Sequence, residues 1–212
     1  MSFRTSIRIV TAIGLTIGVV CQFIQHTDPV FPFAYFTVDS ATLAALIATT
    51  GLRGRSEPPG IAFTRGAAAT GVILSGIVYA AVIAPASPTG GWFQPSDDYW
   101  VRTATVLMHG AGPLLVTADF LAHPYPFKPS WRTAAKWSGW PVGYLAVMLT
   151  LQGAGVTEIP YRFLQPAATG GDPGVLAVTL GIAAMFIVLG RALQELRSRM
   201  QRPRNASSFR DG

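Results

Sequence analysis

Inside the apolar stretches of this chain the polar side chains are few, and two of them together suggest a reaction: the hydroxyl of Thr37 and the imidazole of His109. An imidazole that takes the proton of a hydroxyl generates an alkoxide able to attack a carbonyl, the minimum for acyl transfer. A third group normally orients the base, and hydrogen-bond donors hold the oxyanion. Asp39 or Asp119 suits the third part and Arg102 the last, and residue types alone do not choose between the acids. Each residue also has a plainer reading. A threonine in a membrane helix usually bonds the carbonyl a turn earlier or a neighbouring helix. Asp119 lies close enough in sequence to Lys128 and Arg132 to pair with them, and His26 and His123 fall at the ends of apolar segments. No two histidines have helical ligand spacing, and Cys21 is the single cysteine, so neither a metal nor a cofactor is expected.

The segments that must carry these groups are hydrophobic. Half of the 212 residues are apolar and 12% are charged, about half the charge of an ordinary soluble domain; mean hydropathy is +0.39. The net charge of +6 points away from nucleic acid, because the basic residues lie between apolar runs and not along one helix face. Six runs approach the roughly 20 residues that cross a bilayer: about 7–25, 34–52, 66–84, 101–122, 138–155 and 173–193. The expectation is an all-α polytopic bundle of six transmembrane helices, residues 1–195, followed by a basic disordered tail over 196–212. Arg4 and Arg8 precede the first run as in a signal peptide, but Val19-Val20-Cys21 lacks a small residue for cleavage, so an uncleaved span is expected.

Charge gives these spans a direction. Odd–even assignment puts Arg4, Arg8, Arg53, Arg55, Arg65, Lys128, Arg132, Lys136 and the arginines from Arg191 onward on one side, leaving Arg102 and Arg162 on the other. Positive charge beside spans stays in the cytoplasm, so both termini are expected inside, at the plasma membrane. Thr37 and His109 then lie at one level, in the outer half of two spans running the same way. At 100° per residue Arg102, Thr105 and His109 share a stripe, and Thr37 and Ser40 share another while Asp39 points nearly opposite. Asp39 is therefore expected to meet a neighbouring helix, with Arg102 its obvious partner. Outer segments 26–36, 85–100 and 154–172 are rich in Pro, Gly and aromatic residues. They read first as an interfacial belt, and otherwise as a lid over an outward-facing site.

Several short motifs resemble one family. Tyr35-Phe36-Thr37-Val38-Asp39-Ser40 is similar to a Phe-Thr motif of the androgen-induced and androgen-dependent membrane-protein family. Met108-His109-Gly110-Ala111-Gly112-Pro113, with Asp119 beyond it, resembles that family's His-x-x-x-Pro region. Tyr125-Pro126, Val142-Gly143-Tyr144 and Ile159-Pro160-Tyr161-Arg162-Phe163-Leu164 follow in the family's order. The resemblance covers about residues 8–195 and is nearer to a bacterial branch; Asp39-Ser40-Ala41 stands where that branch usually has Ser-Asn after the threonine. It implies six spans and hydrolysis of fatty acid esters of hydroxy fatty acids, with Thr37 as nucleophile and His109 as base.

The leading expectation is thus an intramembrane threonine hydrolase of lipid esters, with Asp39, Ser40, Arg102 and Asp119 in support. A non-catalytic lipid-binding or scaffold protein is the alternative. A small transporter ranks third, since no internal repeat appears and only the fifth span shows an early proline, Pro141.

Overall fold

The computed structural model describes residues 2–53 and 57–201, Arg53 by its backbone alone. Its elements are helical throughout, with no strand among the described residues. We number seven helices: α1 Phe3–Ile24, α2 Phe36–Thr50, α3 Pro59–Ala86, α4 Tyr99–Ala122, α5 Trp131–Trp137, α6 Gly139–Gly153 and α7 Asp172–Gln201. Four of them, α1, α3, α4 and α7, have 22, 28, 24 and 30 residues and are apolar enough to cross a membrane. Helices α2 and α6, at the expected second and fifth spans, have 15 residues each. At 1.5 Å per residue such a helix rises about 22 Å, less than a ~30 Å hydrocarbon core.

Helix starts follow from local chemistry. Ser2, Asp98 and Ser130 each accept an N–H of the first turn of α1, α4 and α5. Pro59 opens α3, where its missing N–H has no carbonyl to meet. Pro141 falls in the first turn of α6, so the proline expected to break this segment marks its beginning. The last helix runs past its expected end at 193 as far as Gln201. Glu195 there accepts from Arg191 and Arg199, each one turn away, so the expected tail is helical to that point and otherwise lies outside the described residues.

The core is built from small residues. Ala41, Ala44, Ala45 and Ala48 on α2 and Ala67, Ala68 and Ala69 on α3 are buried, which lets the two backbones approach closely. At Gly71 a Cβ would come within 2.6 Å of the Ser40 hydroxyl, and at Gly76 within 2.6 Å of the Pro113 ring and 2.9 Å of the His109 carbonyl. Larger side chains, Trp137, Phe120 and Phe186, fill the space between α4, α5 and α7.

Neither α3 nor α4 is a uniform α-helix. Each contains one wide π turn, over Tyr79–Ile83 and Val106–Ala111. The Ala84 and Gly112 N–H groups reach back five residues, to the Tyr79 and Leu107 carbonyls. Both turns end two residues before a proline, Pro85 and Pro113, whose ring would clash with the carbonyl four residues earlier in a regular helix. The prolines of α3 and α4 are absorbed by widening, and both helices remain continuous.

Opposite the end where the chain enters α1, the helices are joined by polar contacts. Asp98 accepts from the His26 N–H at 2.8 Å and the Val101 N–H at 2.8 Å, and these two donors hold its carboxyl below the usual range. A carboxyl whose folded pKa is depressed stabilises the fold above its unfolded value, about 3.9, and that contribution fades as pH falls through the folded value. Amide protection at His26 and Val101, corrected for intrinsic exchange, should be lower at pH 3 than at pH 7. In Asp98→Asn it should be low at both; unchanged protection in that variant would show that the clasp has no effect.

Candidate functional site

Thr37 sits in the first turn of α2, and the carbonyl three residues back, that of Ala34 in the short 3-10 turn Pro32–Ala34, accepts from Tyr144. Thr11, Thr50, Thr64, Thr70, Thr117 and Thr150 each donate to a carbonyl three or four residues back. The Thr37 hydroxyl has no such bond among the described residues. The residue is 7% exposed and lines a cavity of about 110 Å³ between α2, α3, α6 and α7. None of the lining residues carries a charge. Thr37, Ser75, Tyr144, Tyr161 and Thr179 contribute hydroxyls, and the remainder of the wall is apolar.

Two further cavities, about 230 Å³ and 410 Å³, continue from the first between α6 and α7; the smaller shares Leu145, Leu164 and Thr179 with it, and the larger shares Leu164. Leu149, Val175 and Leu176 wall this extension, which ends at Gln152, Gln165 and Asp172. Helices α6 and α7 splay apart around it, each packing mainly on other elements.

Tyr161 comes from the segment between α6 and α7, and the sequence reading gave it no chemical part. Tyr35, the residue before α2, has no side-chain bond to the helix. Tyr161 supplies the cap, its hydroxyl oxygen accepting the Phe36 N–H at 2.9 Å. The Thr37 backbone and hydroxyl adjoin the same oxygen. Tyr161 is held edge-on to Tyr35 at 6.0 Å and stacked on Phe163 at 5.1 Å. Tyr144 packs on Phe36 and donates to the Ala34 carbonyl at 2.6 Å. The aromatic loop between α6 and α7 is therefore part of the cavity wall, whereas Phe23, Phe31 and Phe33 form an exposed edge-to-face cluster.

His109 lies in the π turn of α4 and stacks on Tyr79, in the π turn of α3, with ring centres 4.0 Å apart and planes 15° from parallel. Its Nδ1 is sealed from solvent with no hydrogen-bond partner among the described residues. Another part of the ring adjoins the Ser75 backbone, and Ser75 itself faces the cavity beside Thr37. Ser75 is thus the link between the two residues, which make no direct hydrogen bond. Tyr79 in turn donates to the Trp92 carbonyl at 2.7 Å, tying the loop before α4 to this pair.

The supporting residues are dispersed. Ser40 is fully buried and accepts from the Trp140 indole at 3.0 Å. Asp39 is half-buried in the first turn of α2, a position the helix dipole favours for an anion, and forms no ion pair among the described residues. Its expected partner, Arg102, instead donates to the Asp97 and Gln94 carbonyls at 3.1 and 3.3 Å, with its guanidinium over the Phe93 ring. Arg102 is held there by the loop before α4, which explains why the expected pairing does not form.

Asp119 stands at the opposite end of the bundle. Its partners are not Lys128 or Arg132 but Arg65 at 3.2 Å, Arg8 at 3.7 Å and His123 at 3.1 Å. Arg8 and Arg65 also bind Glu57, and Arg8 donates to the Gly51 carbonyl at 2.7 Å. His123, expected at a freely polar span end, is buried, with Nδ1 2.8 Å from the Asp119 carbonyl. Nearby, Arg197 of α7 donates to the Phe120 carbonyl and lies over the Phe120 and Tyr125 rings. Asp119 therefore anchors helices and does not orient His109.

The rings of His109 and Tyr79 and the Tyr161 cap depend on wide turns and a distant loop, for which single-residue spacing carries no signal. Pro85 and Pro113 were the available clue to the wide turns. No known protein family, curated protein or solved structure matches the chain.

Deleting one carboxylate from a buried ion cluster leaves its cations unpaired, at a cost of about 3–5 kcal/mol. Asp119→Ala should lower unfolding stability in detergent by that order, whereas Lys128→Ala should change it by less than about 0.5 kcal/mol. Equal stabilities for Asp119→Ala and the parent would show that the cluster anchors nothing.

Proposed function

We propose that this chain is a bacterial plasma-membrane protein of six spans with cytoplasmic termini, and that it hydrolyses lipid esters with Thr37 as nucleophile and His109 as base. Helices α2 and α6, extended by their flanking turns, serve as the second and fifth spans. The basic residues gathered at the Arg8–Asp119 end support the orientation. The resemblance to the androgen-induced and androgen-dependent membrane-protein family supports the chemistry. The observation that carries the reading is Thr37 itself: a hydroxyl without the usual helical carbonyl bond, facing an uncharged, largely apolar cavity of the kind that takes an acyl chain.

In the proposed reaction a water bridging past Ser75 takes the Thr37 proton and gives one of its own to His109, since the two side chains make no direct hydrogen bond. The hydroxyl oxygen bonds to the ester carbonyl carbon, and the carbonyl π pair moves onto oxygen. Collapse breaks the bond to the alcohol, which leaves with the proton from His109. Water then attacks the acyl-threonine through the same base, releasing the acid and restoring Thr37. The net change is ester plus water to acid plus alcohol.

Purified protein assayed on lipid and p-nitrophenyl esters should show turnover that falls by about three orders of magnitude or more in Thr37→Ala and His109→Ala. A fluorophosphonate probe should label Thr37. Equal turnover in all three forms would overturn the assignment. The second reading, a lipid-binding or scaffold protein, draws on the close packing of His109 against Tyr79 and on the lack of a direct Thr37–His109 bond. It predicts no esterase activity in any form and a loss of stability in His109→Ala.

A further inference from the structure

Ester hydrolysis at Thr37 needs a donor for the negative charge that forms on the carbonyl oxygen, and the residue expected for this, Arg102, is held elsewhere by the Gln94 and Asp97 carbonyls. The cavity around Thr37 has no charged wall residue, so the donor must be a hydroxyl or a backbone N–H. Ser75 is committed, since its hydroxyl donates to the Gly71 carbonyl at 2.9 Å. Tyr144 is committed to the Ala34 carbonyl at 2.6 Å. Thr179 belongs to α7 across the cavity, away from the head of α2.

Tyr161 differs from these three. Its oxygen accepts the Phe36 N–H at 2.9 Å, no carbonyl among the described residues takes its hydrogen, and its hydroxyl neighbours are Thr37 and Tyr144. An N–H directed at a phenol oxygen polarises the O–H and strengthens it as a donor. The Tyr161 oxygen adjoins Thr37 and lines the same cavity, so a carbonyl carbon brought to the Thr37 hydroxyl has its oxygen beside this O–H. Two ring contacts, to Tyr35 and Phe163, fix the phenol before substrate arrives, and a donor aimed in advance pays no reorganisation during reaction.

We propose that the Tyr161 hydroxyl is the oxyanion donor of this site, giving its hydrogen to the substrate carbonyl oxygen as Thr37 attacks. This rests on the hydrolase reading above and assigns that site a catalytic group absent from it. The hydrogen bond strengthens as the carbonyl π pair moves onto oxygen, and no proton is transferred. Burial raises the Tyr161 phenol to about 12, so it remains a donor through the neutral range. The titratable groups facing it are Tyr35 and Asp39 at the head of α2 and Tyr144 on α6.

The test uses the full chain in lipid vesicles with a p-nitrophenyl ester and, separately, a trifluoromethyl ketone of the same acyl chain, which forms a tetrahedral adduct with the hydroxyl. Tyr161→Phe should lower kcat by about 10²–10³-fold with little change in KM, and weaken the ketone by a similar factor. A residue serving only as the α2 cap would alter stability without separating ketone from ester. Tyr99→Phe, which loses an exposed hydroxyl at the start of α4 and outside the cavity lining, should retain activity. If Tyr161→Phe fails to fold, a fluorinated tyrosine at 161 keeps the hydroxyl and lowers its pKa; the alkaline fall in kcat should then move to lower pH. Turnover within threefold of the parent in Tyr161→Phe, with Thr37→Ala inactive, would overturn the Tyr161 assignment and leave the hydrolase standing. In the fluorinated form, an unmoved alkaline limb would do the same. A parent protein that neither turns over the ester nor binds the ketone would overturn both.

Discussion

Taking a guanidinium out of water costs several kcal/mol even after the surroundings relax, and this bundle does so with both Arg8 and Arg65, at 7% and 5% exposure. Only an arrangement that brings anions to both at once can hold them. Glu57 comes from the turn before α3 and Asp119 from the last part of α4, while the Gly51 carbonyl closes the far side of Arg8. The cluster thereby fixes how α1, α2, α3 and α4 meet at one end. Because those anions and cations come from different elements, a slide of any one helix along its axis would separate a buried pair. Alanine and glycine contacts between α2 and α3 have no such directionality; they permit close approach, and the ion cluster sets the register.

With the register set at that end, the irregularities gather toward the other. Both π turns lie there, each just ahead of a proline, and they are adjacent, as the stacking of Tyr79 on His109 shows. A π turn inserts one residue and rotates everything beyond it, so side chains on either side of the turn fall off a regular 100° stripe. Thr105 and His109 both still meet Tyr79, while Arg102 departs toward its loop. His109, inside the wide turn of α4, stands beside the Ser75 backbone and stacks on Tyr79 of the wide turn of α3.

Much of the architecture could be read without coordinates because hydrocarbon-length apolar runs and capping residues act locally. Asp172 stands where the last helix begins, and the apolar segments match the six longer helices to within a few residues at most ends, whereas α5, opened by Ser130, was not expected. Alternation of basic residues foresaw that Arg8, Arg65 and Arg197 would gather at one end, although not that they would be buried. Partner choice was the weak point. Asp119 lies nine residues from Lys128 yet pairs with Arg8, 111 positions earlier, because spatial neighbours across a bundle leave no trace in sequence spacing. Thr37 was legible as a residue type in a motif, but its freedom from the Ala34 carbonyl was not, since Tyr144 of another helix takes that acceptor. Tyr161 was legible only as one aromatic among many, since its role depends on where a long loop returns to the head of α2.

The gap between α6 and α7 is an opening in the side of the bundle, walled by four leucines, Ile159 and Val175 along most of its length. In a bilayer placed as proposed above, a molecule arriving that way would cross no water, being already dissolved in the phase that surrounds the helices. Its supply is then set by its mole fraction in the bilayer and by diffusion in a plane, and its bulk aqueous concentration loses meaning as a measure of saturation. Micelles that dilute such a molecule within their own apolar volume would then compete with this side opening, even where they leave every hydrogen bond of the protein intact.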